Sequence, residues 1–149
     1  MENLQIRRAT AEDVPEIVAM LADDPLGAAR ESPGDPAYAA AFADIDADPR
    51  QLLAVAAVDG SVVGTLQLTF IPGLSRRGST RALVEAVRVR SDQRGSGLGR
   101  RLTEWAIETA RSRGAALVQL TTDASRVDAH RFYERLGFVP SHVGMKLVF

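Results

Sequence analysis

Residues 87–100, Val-Arg-Val-Arg-Ser-Asp-Gln-Arg-Gly-Ser-Gly-Leu-Gly-Arg, constrain this chain more than any other stretch. A strand pattern runs into a turn with glycine at 95, 97 and 99, and the turn opens a helix. Glycines at alternate positions remove the side chains that would hold a ligand away from the main chain. The first turn of a helix offers N–H groups with no internal partner, at the positive end of the helix dipole. An anion is the natural guest, and Arg94, Arg100 and Arg101 add charge that suits a pyrophosphate. Spacing excludes two other phosphate loops. A P-loop requires Gly-Lys-Ser/Thr, and Gly99 is followed by Arg100 and Arg101. A dinucleotide fingerprint starting at Gly95 would need glycine or alanine at Arg100, an early βαβ position and an acid about 20 residues on. On the loop alone, a tight turn that merely packs helix on strand remains open.

The elements around the turn define the fold class. Leu4, Ile6 and Arg8 alternate as a strand, and Thr10-Ala11-Glu12-Asp13 caps a helix carrying Val14, Ile17, Val18 and Leu21. Asp24-Pro25-Leu26-Gly27 and Ser32-Pro33-Gly34-Asp35-Pro36 break the chain before an alanine-rich helix at 37–47, with Tyr38, Phe42 and Ile45 on one side. Two β-rich runs, 52–58 and 61–71, joined by Asp59-Gly60, predict an antiparallel hairpin. A polar loop containing Arg76 and Arg77 precedes a strand at 82–89, a helix at about 97–112, a strand at 116–120 and a helix at 124–136 stopped by Gly137. Phe138-Val139 and residues 143–149 read as two last short strands around Pro140. The order β-α-α-β-β-β-α-β-α-β-β is that of a single α/β domain over residues 1–149, a mixed, mostly antiparallel sheet flanked by helices.

Composition narrows the chemistry. With 149 residues, 46% of them hydrophobic, a core is feasible without staples. The chain has no cysteine and two histidines, so a thiol nucleophile and a redox pair are excluded and no metal site is expected. No apolar run approaches the roughly 20 residues that cross a bilayer, and the N-terminus lacks a signal pattern. A cytoplasmic protein with no membrane partner is expected. The net charge of −1 gives no reason to expect nucleic acid, but residues 11–48 hold ten acids against Arg30 alone. An acidic wall would attract an amine or a basic peptide, whereas Arg76, Arg77 and Arg81 suit an acceptor carboxylate or phosphate; the two cues disagree.

Arg94-Gly95-Ser96-Gly97-Leu98-Gly99 resembles motif A of the GNAT superfamily of N-acetyltransferases: Arg or Gln, two residues, Gly, one residue, Gly or Ala. Downstream, Asp128-Ala129-His130-Arg131-Phe132-Tyr133-Glu134-Arg135-Leu136-Gly137-Phe138 looks like the same family's motif B, and with the opening strand and helix the resemblance covers nearly the whole chain. It implies acetyl-coenzyme A as cosubstrate and an amine acceptor, taken to be a small molecule. Main-chain N–H groups from Gly95, Ser96, Gly97, Leu98, Gly99 and Arg100 would cradle the pyrophosphate beside Arg94. Val87, Arg88 and Val89 would line the pantetheine arm, with the Val87 N–H facing the thioester carbonyl, where acyl transfer builds negative charge. Many members carry asparagine where this chain has Arg126, which cannot accept a hydrogen bond but can reach a phosphate. A departing thiolate needs a proton, and Tyr133 suits that role.

An ammonium must lose a proton before it attacks, and Glu85 is the candidate base, read as sharing its side of the strand with Leu83, Val87 and Val89. Base, substrate anchor and plain sheet glutamate all stay open for it. A protein or peptide acceptor, and a silent coenzyme A-binding module, are the rival functions. A homodimer is common in the family the chain resembles, and exposed strand edges are a physical motive for one.

Overall fold

In the computed structural model of the chain, which describes residues 3–149, five strands form one sheet in the order β1-β2-β3-β4-β5. They are β1 (Leu4–Arg8), β2 (Gln51–Val58), β3 (Ser61–Pro72), β4 (Thr80–Val89) and β5 (Leu117–Gln119). The first four pair antiparallel, and β5 joins β4 in parallel over Arg81, Ala82 and Leu83. The helices are α1 (Val14–Ala22), α2 (Ala37–Ala47), the single turn α3 (Ser75–Gly78), α4 (Leu98–Ser112) and α5 (Val127–Arg135). The α/β class and the element order through α5 are those expected, with α3 added inside the polar loop.

Local chemistry accounts for the turns. Asp59 and Gly60 take φ of 50° and 83°, as a two-residue hairpin between right-twisted strands requires. Asp13 closes a capping box with Thr10 and pairs with Arg7 at 2.7 Å, which fixes the passage from β1 into α1.

The sheet has two unlike faces. On one, Leu52, Ala54, Leu66, Leu68, Phe70, Ala82 and Val84 are buried with Leu98, Leu102, Ala106 and Ala110, a stripe repeating every fourth residue of α4. A Cβ on Gly64 would sit 2.8 Å from Leu102 Cδ1, so α4 rides close on β3. On the other face a smaller cluster joins Ile17 and Met20 of α1 to Ala9, Val55 and Val62. No residue of α2 is fully buried, and Phe42 packs only partly against that cluster.

The two strands expected after α5 are not formed. Among the described residues, none from 142 to 149 shares a main-chain hydrogen bond, and Val143, Met145, Leu147 and Phe149 are exposed. Alternation supplies a strand's apolar face, but a strand also needs a neighbour's N–H and C=O groups, and none lies alongside.

Candidate active site

The strand leading into the glycine turn carries a bulge that its sequence does not announce. Gln67 faces Glu85 and Thr65 faces Arg88, so Ala86 and Val87 together oppose Leu66 alone. Ala86 takes φ of 53°, a left-handed position usually given to glycine. One extra residue exchanges the two sides of a strand. Ala82 and Val84 before the bulge and Val87 and Val89 after it therefore pack on the α4 core. Glu85 does not share the side of Val87 and Val89, as alternation predicts. It lies exposed on the opposite side, next to Gln67 across the ladder. The same face presents Thr69 and Gln67, both bonded to the Gln51 side chain at 2.9 and 2.8 Å.

Beyond Leu83 and Gln119 the parallel ladder stops, leaving the far edge of β4 open. The Arg90 N–H bonds the Val63 carbonyl on β3, so by alternation the main-chain groups of Val87 and Val89 turn the other way, over the gap beside β5. Arg88 Nη1 already donates to the Val87 carbonyl at 3.0 Å.

The turn itself has the conformation its glycines allow. Gly95 and Gly97 have φ of 79° and 84°, with open space where a Cβ would stand. No main-chain acceptor meets the N–H groups of Gly95, Gly97, Leu98, Gly99 and Arg100, whereas Ser96 N–H bonds Gln93. Partnerless donors at the start of α4, with open space above Gly95 and Gly97, fit the pyrophosphate of coenzyme A. Arg100 is held by Glu104 at 2.8 Å, and Arg94 reaches back to the Asp23 carbonyl at 3.3 Å.

That last contact belongs to an anchor the sequence reading missed. Asp24 Oδ1 accepts from the N–H groups of Leu26 and Gly27 at 2.8 and 2.7 Å, while Oδ2 lies 2.8 Å from Arg88 Nε. The Arg88 Nε–H does not point along the carboxylate, so the contact is ionic and not a directed hydrogen bond. Burial would raise the Asp24 pKa, but the Gly27 and Leu26 amides and the charges of Arg88 and Arg126 outweigh it and hold it below the ordinary carboxylate value. The acidic segment is thus tied to β4 through Arg88 and to the glycine turn through Arg94. Only the turn-forming Asp-Pro-Leu-Gly signalled this in the sequence.

Tyr133 lies on α5 between Phe132 and Phe138, edge-on to both, with ring centroids 5.0 and 5.8 Å away. Phe132 also lies 3.8 Å from where a Gly99 Cβ would be, which sets α5 against the glycine turn. Burial raises the Tyr133 pKa above its ordinary value, against the opposing charges of Arg126 and Arg88. Arg126 stands at the start of α5 and acts on both Asp24 and Tyr133. Tyr133, Arg88, Arg126 and the glycine turn are therefore brought together, with Glu85 exposed on the face of β4 away from α4. Among the described residues no cluster of side chains suits a metal ion, and no helix is long and apolar enough to cross a membrane.

The profile of the acetyltransferase (GNAT) family matches residues 14–138. The chain belongs to that family of N-acetyltransferases. Aminoalkylphosphonate N-acetyltransferase of Salmonella typhimurium LT2 is 33% identical over 93% of this chain and 86% of its own length. Streptothricin acetyltransferase of Streptomyces lavendulae is 32% identical over 74% of this chain and 62% of its own. Among solved structures, a Bacillus halodurans C-125 protein described as a transcriptional regulator is 49% identical, with a TM-score of 0.95 over 98% of this chain and 99% of its own. An overlap of that extent takes in most of residues 138–149. This GNAT chain is thus an acyltransferase by family, with curated relatives acting on small-molecule amines.

Proposed function

We propose that this protein moves the acetyl group of acetyl-coenzyme A to the primary amine of a small molecule by direct attack on the thioester. The observation that carries the reading is the set of partnerless N–H groups on Gly95, Gly97, Leu98, Gly99 and Arg100, beside the open edge of β4. In this reading Arg94 and Arg126 flank the phosphates, and the N–H groups of Val87 and Val89 hold the pantetheine arm. When bound, acetyl-coenzyme A supplies the acetyl group and leaves as the thiol. Glu85 relieves the incoming ammonium of its proton on the acceptor side of β4. The Val87 N–H meets the carbonyl oxygen where charge builds, and the Tyr133 hydroxyl gives its proton to the departing sulfur. A phenol whose pKa is raised stays protonated through the neutral range, so loss of this acid limits the rate only above its ordinary pKa of about 10. The same reading takes residues 1–149 as one domain working in the cytoplasm, as a homodimer, with no nucleic acid or membrane partner.

The description of the Bacillus halodurans relative favours a second reading, a coenzyme A-binding regulatory module without turnover. Thiol release from acetyl-coenzyme A, measured with aminophosphonates, amino acids, aminoglycosides, aminosugar phosphates and basic peptides, separates the two. Turnover on a small amine, with kcat reduced about 10²–10⁴-fold in Tyr133→Phe, is the expected result. Tight cofactor binding with no turnover on any acceptor favours the silent module, and no cofactor binding at all overturns both.

A further inference from the structure

The face of β4 away from α4 carries, in order, Arg81, Leu83, Glu85 and, past the bulge, Arg88, because Ala82 and Val84 turn into the α4 core. The two guanidinium groups on this face are in opposite states. Arg88 is engaged, with Nε 2.8 Å from the Asp24 carboxylate and Nη1 donating to the Val87 carbonyl. Arg81 is half-buried, and its Nε is shut off from solvent with no hydrogen-bond partner. Among the described residues no carboxylate pairs with it. Its neighbours across the ladder are Ile71 on β3 and Leu117 on β5, and neither side chain can accept a hydrogen bond. A charged group withdrawn from water without a partner costs free energy that a bound anion would offset.

The adjoining loop does not balance that charge. Arg76 and Arg77, on the turn leading into β4, are exposed and likewise have no acidic partner among the described residues. Glu85, the one acid of β4, stands four residues beyond Arg81, about 13 Å along the strand. Leu83 lies between them on the same face, an apolar floor flanked across the ladder by Thr69. A cation, an apolar step and an acid in line form the complement of a short alkyl chain with an anion at one end and an ammonium at the other.

We propose that the acceptor is a primary amine with an anionic group, a carboxylate or a phosphonate, a few bonds away, and that Arg81 binds this group. The proposal rests on the acetyl-transfer reading above, in which the same face of β4 receives the amine, and deepens it by naming the acceptor class. The amine end lies at Glu85, beside the bulge and Val87, and the anionic end lies back along β4 at Arg81. Of the acids in the segment between β1 and β2, Asp24 is already committed to Arg88. Either anion presents paired oxygens to a guanidinium fork. Arg81 meets a part of the acceptor that does not change in the reaction, so it strengthens ground state and transition state alike and acts on KM.

Aminoethylphosphonate, β-alanine and propylamine, of similar length and differing in the group far from the amine, test this in the thiol-release assay. One of the two anionic amines should exceed propylamine in kcat/KM by about 10–100-fold, and whichever leads identifies the anion. Arg81→Gln should erase that preference, with the loss in KM and not in kcat. Arg81→Lys, which keeps the charge without the fork, should fall between. Propylamine turned over as well as both anionic amines overturns the proposal, and so does a folded Arg81→Gln chain that keeps the preference. The comparison of acceptors on the unsubstituted chain stands even where a variant fails to fold. Calorimetric titration of aminoethylphosphonate and β-alanine onto the coenzyme A complex, where no acetyl group is available, reads binding alone. Heat from an anionic amine that disappears in Arg81→Gln supports the anion site even where acetyl transfer fails, and no binding of either overturns it.

Discussion

The two faces of the sheet divide structure from chemistry. Against α4 the face is dry: small and branched side chains from β2, β3 and β4 meet one stripe of α4, and Thr103 is the one buried polar side chain of that helix, its hydroxyl turned back to the Gly99 carbonyl at 2.8 Å. Toward α1 and α2 the apolar cluster covers only β1, β2 and the start of β3. The rest of that face carries Gln51, Gln67, Thr69 and Glu85, and it is bordered by the Asp24–Arg88 pair. A face that must admit a substrate cannot also be packed shut. Stability is therefore concentrated under α4, and the other face relies on hydrogen bonds and ion pairs placed one at a time.

That contrast can be broken by substitution. Leu102→Ala empties a fully buried site beneath α4 and should cost about 2–5 kcal/mol in urea unfolding. A loss below about 1 kcal/mol would mean that the dry face is not where stability resides. Asp24→Asn removes the charge opposite Arg88 and should cost about 1–3 kcal/mol.

The pH dependence sharpens the same point. The Asp24 and Asp13 pKa values are both lowered in the fold, so the stability they contribute is fully present above the ordinary carboxylate pKa. It is lost as pH falls through the lowered values, from about pH 4 downward. Melting curves of Asp24→Asn should be flatter than those of the unsubstituted chain across that window. Gly97→Ala forces a side chain into φ of 84° and should cost about 1–2 kcal/mol while weakening coenzyme A binding, measured by calorimetry. Gln67→Ala, on the polar face, should change stability by no more than about 0.5 kcal/mol, with any effect appearing in KM for the amine.

Most of the frame was legible because its signals are local. The Asp59-Gly60 hairpin, the four-residue stripe of α4 and the glycine turn announce themselves over a few positions. What escaped was set at a distance. Ala86 gives no sign of a bulge, since glycine is the residue that marks a left-handed position, and so the side on which Glu85 lies was misread. Asp24 reads as a helix breaker, and only the folded chain brings Arg88 to it across more than sixty intervening positions. Residues 143–149 have a strand's pattern without a strand's neighbour, because pairing is a property of what stands alongside and not of the segment. The family membership of the chain was legible from its two motifs, whereas the geometry around Tyr133 needed α5 set against the glycine turn by Phe132.

The bulge at Ala86 also decides which kinds of variation β4 can accept. Its one additional residue keeps Ala82 and Val84 on the same side as Val87 and Val89 while leaving Glu85 and Arg88 on the other. A change of letter at any of these positions alters one contact. Loss of the codon for Ala86 would close the bulge and leave these side chains on their present sides, whereas gain of one codon between Val87 and Val89 would turn Val89 toward the polar side. Mutagenesis of β4, by design or by descent, is thus open in spelling and, beyond the one residue the strand holds in excess, closed in length.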